Sequence, residues 1–338
     1  MAPIKFKGVH ICPSSEPSIS SLNAYVASQP SAVGHLGNAR IFVRVSPIKD
    51  NPPLLLLHGF PQTHAEWHKL APLLLPHFTL ILIDLRGYGA SSSVLSSTNG
   101  SGYTKRLMGQ DCISVMDQLG YQGRKFAVLG HDRGARVAYR LAFDEPERIS
   151  RVIVVDIVPT ASMFGSFGNV SAAMKGYHWL FLAQPAPFPE EMIKGRDGGS
   201  MFLENGLKSW TAAGTLSTFD NEVLEQYREA YVNNDEKIHT TCEDYRAGVF
   251  FDRVYDEEDL EAGRKIQAPL LAVWGESGLF AGAMKEEKKK KKKKVKEGPL
   301  DVWQRYCVDV KGKGLNCGHF VPEEDPEGLA TEVLEFLL

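Results

Sequence analysis

The sequence predicts a mainly parallel, doubly wound α/β sheet with an inserted helical cap, and three observations predict it. Short continuous apolar runs at Pro53-Leu54-Leu55-Leu56-Leu57, Thr79-Leu80-Ile81-Leu82-Ile83, Phe126-Ala127-Val128-Leu129 and Arg151-Val152-Ile153-Val154-Val155 have the length of strands buried on both faces. Helical stretches separate them, the alternation expected of parallel strands joined by crossovers. From 159 to 253 such runs stop and helical, aromatic-rich sequence takes over, until Leu270-Leu271-Ala272-Val273-Trp274 resumes the strand pattern. The core therefore comprises 39–158 and 254–338, with a helical cap at 159–253.

In order along the chain, residues 1–38 are rich in Ser, Pro and Gly and read as a loosely packed arm. Ile41-Phe42-Val43-Arg44-Val45 alternates as a strand. His58-Gly59-Phe60-Pro61 closes the first buried run, and Glu66 to Leu75 reads as a helix. Asp84-Leu85-Arg86-Gly87-Tyr88-Gly89 is the loop after the second run, Ser91 to Gly102 a Ser/Gly loop, and Tyr103 to Leu119 a helix. A helix from Arg133 to Phe143 follows the third run, and the fourth ends in Asp156. The last strand is expected at Tyr306-Cys307-Val308-Asp309-Val310 and a closing helix at Pro326 to Leu338. The lysine-rich tract at 285–298 repels itself and reads as a solvated insertion, although such runs also match nuclear-localisation signals.

Composition limits the function. A chain of 338 residues that is 43% hydrophobic can bury a full core, and a net charge of −3 without a basic face outside the lysine tract argues against a nucleic-acid partner. Five cysteines (12, 112, 242, 307 and 317), scattered and without C-x-x-C spacing, read as reduced thiols rather than metal ligands. No apolar leader opens the sequence and no run approaches about 18 apolar residues, so a soluble, cytoplasmic protein is expected, with no membrane partner. Neither a metal nor a cofactor is expected.

The chemistry centres on Gly130-His131-Asp132-Arg133-Gly134, where a buried strand meets a helix through a turn flanked by glycines. This is the setting of a nucleophile elbow, whose central side chain is pushed clear of the sheet. Here that residue is a carboxylate, ionised without the help of a base. An Asp in this place can also serve as an ordinary helix N-cap. Arg133 and Arg136 carry the wrong sign for the first turn of a helix, by about 0.3–1 kcal/mol each. A bound anion explains them; pairing with a nearby Asp or Glu is the other reading.

An ester on Asp132 needs a base to activate water, and His319, in Asn316-Cys317-Gly318-His319-Phe320 after the last core strand, has the right place in chain order. Asp156 is the orienting acid, with Glu276 in reserve. The backbone N–H groups of Phe60 and Arg133 are expected as oxyanion donors. His58 and His131 are expected to brace their turns.

Together with these residues, Pro61-Gln62-Thr63-His64, Gly134-Ala135-Arg136, Tyr177-His178-Trp179, Leu182-Ala183-Gln184-Pro185-Ala186-Pro187, Glu243-Asp244-Tyr245-Arg246 and Cys317-Gly318-His319-Phe320 closely resemble the fluoroacetate (haloacetate) dehalogenases of the α/β-hydrolase superfamily. The resemblance runs from about Ala39 to the C-terminus. It implies an α/β-hydrolase fold and hydrolysis of a small 2-haloacid through an aspartyl ester, with Asp132 as nucleophile, Asp156 as acid and His319 as base. Arg133 and Arg136 would clamp the substrate carboxylate, and His178, Trp179 and Tyr245 would donate to the departing halide. The N-terminal arm and the lysine tract depart from the family pattern.

Two other readings stand beside it. An epoxide hydrolase shares the aspartate, the histidine and the cap, and would polarise its substrate with two cap tyrosines such as Tyr177 and Tyr245; a neutral epoxide leaves the arginines unexplained. A non-catalytic receptor for small ligands is disfavoured by the presence of nucleophile, acid and histidine together. The partner expected is a small anionic molecule, and the sequence leaves room for a homodimer.

Overall fold

The computed structural model describes residues 9–13, 22–27, 39–46, 51–94, 98–278 and 298–338, the first two segments by backbone alone. Its strands are β1 (Val9–Pro13), β2 (Leu22–Ala27), β3 (Arg40–Val45), β4 (Pro53–Leu57), β5 (Thr79–Ile83), β6 (Phe126–His131), β7 (Ile149–Val155), β8 (Leu270–Gly275) and β9 (Val310–Leu315). They form one sheet in the order β1-β2-β3-β5-β4-β6-β7-β8-β9. The run from β5 through β4, β6, β7 and β8 to β9 is parallel throughout. β3 joins β5 antiparallel, and β2 and β1 continue antiparallel beyond it.

The central strands carry continuous apolar runs (54–57 in β4, 80–83 in β5, 126–129 in β6 and 152–155 in β7) because both faces are covered there. Leu55, Leu57 and Val128 pack with Ala135, Ala138 and Met116, which belong to helices α2 (Lys105–Met116) and α3 (Asp132–Asp144). Leu54, Leu56 and Leu129 point the other way, onto Trp67, Leu74 of α1 (Ala71–Leu74) and Val333 of the closing helix Pro326–Leu337. Between β7 and β8 the chain forms α4 (Thr160–Ser166), α5 (Val170–Lys175), α6 (Tyr177–Leu182), α7 (Phe188–Asp197), α8 (Ser200–Trp210), α9 (Asn221–Tyr231), α10 (Asp235–Ala247) and α11 (Arg253–Glu261). No helix among the described residues is long and apolar enough to cross a membrane.

Three expectations need correcting. The arm is not loose throughout: β1 and β2 lie in it, and β2 satisfies the N–H and C=O groups that β3 would otherwise leave open at a sheet edge, with β1 pairing beyond it. The remainder of 1–38 and the lysine tract to residue 297 lie outside the described residues. The last strand is Val310–Leu315, not 306–310: Tyr306 ends a helix begun at Pro299, and the edge strand alternates Lys311 and Lys313 with glycines. Such a strand, paired on one side and wet on the other, carries no continuous apolar run. The helix expected over Glu66 to Leu75 is a 3-10 turn at His64–His68 followed by the short α1.

Candidate active site

The site lies at the carboxyl ends of the parallel strands, where an open α/β sheet places its crevice. At the elbow, Asp132 takes φ +42°, and packing rather than local preference keeps it there. The flanking glycines make the turn feasible. A Cβ on Gly134 would sit 2.1 Å from the Leu57 carbonyl oxygen, and one on Gly130 would sit 2.5 Å from Gly134. Gly59 faces the elbow from β4 at similar range, 2.8 Å from the Asp132 Cβ.

Asp132, Asp156 and His319 converge. The Phe60 N–H donates to Asp132 Oδ1 at 3.0 Å, while Oδ2 lies 3.9 Å from His319 Nε2. His319 Nδ1 stands 2.6 Å from Asp156 Oδ2, and Asp156 Oδ1 accepts the Gly275 N–H at 3.0 Å. Asp156 also has positive φ, +53°, directly after β7. Burial opposes ionisation of Asp132, but His319, Arg133, His131 and Arg136 outweigh it and hold its pKa below the ordinary carboxylate value. The carboxylate is thus charged and anchored through Oδ1, and its Oδ2 faces an oriented imidazole at 3.9 Å, beyond direct hydrogen-bond distance.

Both arginines are buried beside it. Arg136 Nη1 donates to the Val158 carbonyl at 3.0 Å and to Thr160 Oγ1 at 3.2 Å, and its guanidinium lies 4.3 Å over the Trp179 ring. Burial lowers its pKa, and among the described residues no carboxylate comes within ion-pair distance of it. Arg133 has the acidic partner that the second reading of the sequence allows. Its Nε and Nη2 each donate to the Asp244 carboxylate at 2.8 Å. Among the described residues, Arg133 Nη1 and Arg136 Nε and Nη2 are buried nitrogens with no hydrogen-bond partner.

The cap supplies the opposite wall. The Trp179 and Tyr245 rings meet edge to face at 5.4 Å, and Tyr245 also packs against Phe60 and His178. Burial drives the His178 pKa down to about 3 and raises that of the Tyr245 hydroxyl well above its usual value, so both are neutral and can donate. A cavity of about 320 Å³ opens beside His319, lined also by Tyr177, Trp210 and Ser277.

Two residues of the site escape the sequence reading. Glu66 and His131 form a wholly buried pair at 3.2 Å. The same Glu66 oxygen accepts the Gly59 N–H at 3.1 Å, and His131 Nε2 meets the His319 carbonyl at 2.9 Å, so the pair ties together the loops of Phe60, Asp132 and His319. Burial opposes the imidazolium, yet Glu66 overrides it and raises the His131 pKa. His131 braces its turn as expected, and His58 does likewise, accepting the Leu85 N–H at 2.9 Å. Asp244, the partner of Arg133, is the other; its only signal is a place beside Tyr245.

This combination of sheet, elbow and strand-end histidine defines an α/β hydrolase, and the family model of the alpha/beta hydrolase fold matches residues 52–294. The chain is 37% identical over 286 residues to a fluoroacetate dehalogenase of Burkholderia sp., covering 85% of this chain and 87% of that one. It is 30% identical over 286 residues to a soluble epoxide hydrolase of Corynebacterium sp. (strain C12), covering 84% and 89%. A solved candidate α/β hydrolase of Nostoc sp. PCC 7120 superposes with a TM-score of 0.80 at 37% identity, covering 98% of this chain and 99% of that one. The chain belongs to the haloacetate dehalogenase family of the α/β hydrolases.

Proposed function

We propose that this hydrolase cleaves the carbon–halogen bond of a small 2-haloacid such as fluoroacetate, releasing halide and the 2-hydroxyacid. One observation carries the reading: three buried guanidinium nitrogens without partners stand beside an ionised Asp132. Leaving buried donors unpaired costs about 1–3 kcal/mol each, more when charged, and a carboxylate from the substrate relieves it.

In the first step Asp132 Oδ2 attacks the halogen-bearing carbon, the carbon–halogen bond breaks, and halide leaves toward His178, Trp179 and Tyr245. Their N–H and O–H groups offset the charge as it develops. In the second, His319 Nε2 takes a proton from water, and the hydroxide adds to the Asp132 carboxyl carbon. The oxyanion forms on Oδ1, where the Phe60 N–H already donates, with the Arg133 N–H as second donor. Collapse expels the alkoxide, which takes back the proton from His319 and leaves as the hydroxyacid; Asp132, now with one oxygen from water, releases its remaining proton to solvent and is a carboxylate again. Asp156 holds the imidazole tautomer and supports its positive charge. The substrate is a small anion, and no cofactor takes part.

The epoxide reading has support in the Corynebacterium relative. Against it, Tyr177 is 43% exposed and its hydroxyl accepts from Asn205 at 3.4 Å, whereas Tyr245 is buried, so the two do not form a matched pair of donors. Turnover of a panel of haloacids and epoxides separates the two. Mass spectrometry of His319→Gln incubated with haloacetate should find an ester on the peptide bearing Asp132. An unmodified peptide under saturating substrate would overturn the mechanism.

A further inference from the structure

Resting on the 2-haloacid reading, we propose that Asp244 is a positioning residue, which holds Arg133 to a single free nitrogen and aligns the carboxylate and halide ends of the substrate together. The Asp244 carboxylate is wholly buried and takes Arg133 side-on, through Nε and Nη2, while the Asp244 carbonyl accepts from Nη2 again at 2.9 Å. Asp244 is itself fixed, because Lys105 Nζ bonds one of its oxygens and the Tyr88 hydroxyl donates to the other at 2.6 Å. The Lys105 backbone N–H in turn donates to Asp252. Three anchors on one guanidinium prevent its rotation, so Nη1 is the nitrogen left for the substrate.

The charges divide accordingly. Arg133 is offset by Asp244 before any ligand arrives, whereas among the described residues Arg136 hydrogen-bonds only a carbonyl and a hydroxyl. The substrate's negative charge therefore falls mainly to Arg136, which offers Nε and Nη2 as a fork, and Arg133 contributes direction through Nη1. Asp244 also precedes Tyr245 on α10, and the Arg133 guanidinium lies 4.2 Å over the Tyr245 ring. Release of Arg133 would shift the ring beneath it, and with it the hydroxyl offered to the halide.

Steady-state kinetics on fluoroacetate and chloroacetate test this with wild type, Asp244→Asn, Tyr88→Phe and Asp117→Asn, each checked for folding by circular dichroism. Asp244→Asn should raise KM for both acids by roughly tenfold or more and lower the fluoroacetate-to-chloroacetate ratio of kcat/KM. Tyr88→Phe, which removes only a hydroxyl held to Asp244, should move both quantities the same way by roughly three- to fivefold. Asp117→Asn removes an ion pair with Arg148, 2.7 Å away beside the amino end of β7 and at the opposite end of the sheet from the site, and should leave KM unchanged. A folded Asp244→Asn with wild-type KM and ratio overturns the inference; should that variant not fold, a wild-type KM in Tyr88→Phe overturns it. Wild-type protein inactive on both acids overturns instead the substrate reading beneath it.

Discussion

At the scale of single residues, the proposed clamp makes Arg136 the most informative position. Arg136→Lys keeps the charge but replaces a planar fork with a point charge. Loss of one or two charge-assisted bonds of about 1.5–3 kcal/mol should lower kcat/KM for haloacetate by about 10- to 100-fold or more, measured by halide release. Haloacetate turnover at the wild-type rate would remove Arg136 from the clamp. Tyr245→Phe tests the halide wall. Fluoride is the poorest leaving group and gains most from a donor, so the variant should lose on the order of 2.7–4 kcal/mol of transition-state stabilisation with fluoroacetate and less with chloroacetate. A ratio equal to that of wild type would make Tyr245 cap packing alone. Asp132 was legible because two glycines at fixed spacing are needed where a Cβ would strike backbone, and no other local feature imitates that demand. Asp244 was not legible: it lies 111 residues from Arg133, and nothing within α10 marks which of its acids turns inward.

At the scale of elements, the buried strands β4 to β8 were readable because a strand covered on both faces has a continuous apolar run. The edges were not, since β9 alternates lysine with glycine and β1 and β2 lie in sequence rich in Ser and Pro. The contact between core and cap holds a carboxyl group with a thermodynamic consequence. Asp256 on α11 accepts from the Tyr139 hydroxyl at 2.9 Å and from the Ala161 N–H at 3.1 Å, and burial pushes its pKa up to about 7. A raised carboxyl pKa means that the folded state holds a proton the unfolded chain has released. Its contribution to stability is complete below about pH 4 and disappears as pH rises through about 7. Asp256→Asn should therefore flatten the decline, and between pH 5 and 8 should spare about 2–3 kcal/mol of denaturation free energy relative to wild type. Parallel urea titrations at the two pH values check this, and identical slopes with pH in both proteins would count against it.

At the scale of the whole molecule, the proposed catalytic groups lie beyond β3 in the chain, so the two N-terminal strands serve the sheet and not the chemistry. Removal of residues 1–38 should leave kcat and KM close to their wild-type values while exposing the outer edge of β3, with faster aggregation on heating, seen by light scattering. A large fall in kcat would tie the arm to the site. The bond from His131 Nε2 to the His319 carbonyl joins residues 188 apart in sequence. During synthesis at about 5–20 residues per second, His319 leaves the ribosome about 10–40 s after His131, once the whole cap has been made. Until then the nascent chain lacks the carbonyl that His131 meets, so the elbow is braced only when the end of the chain is out.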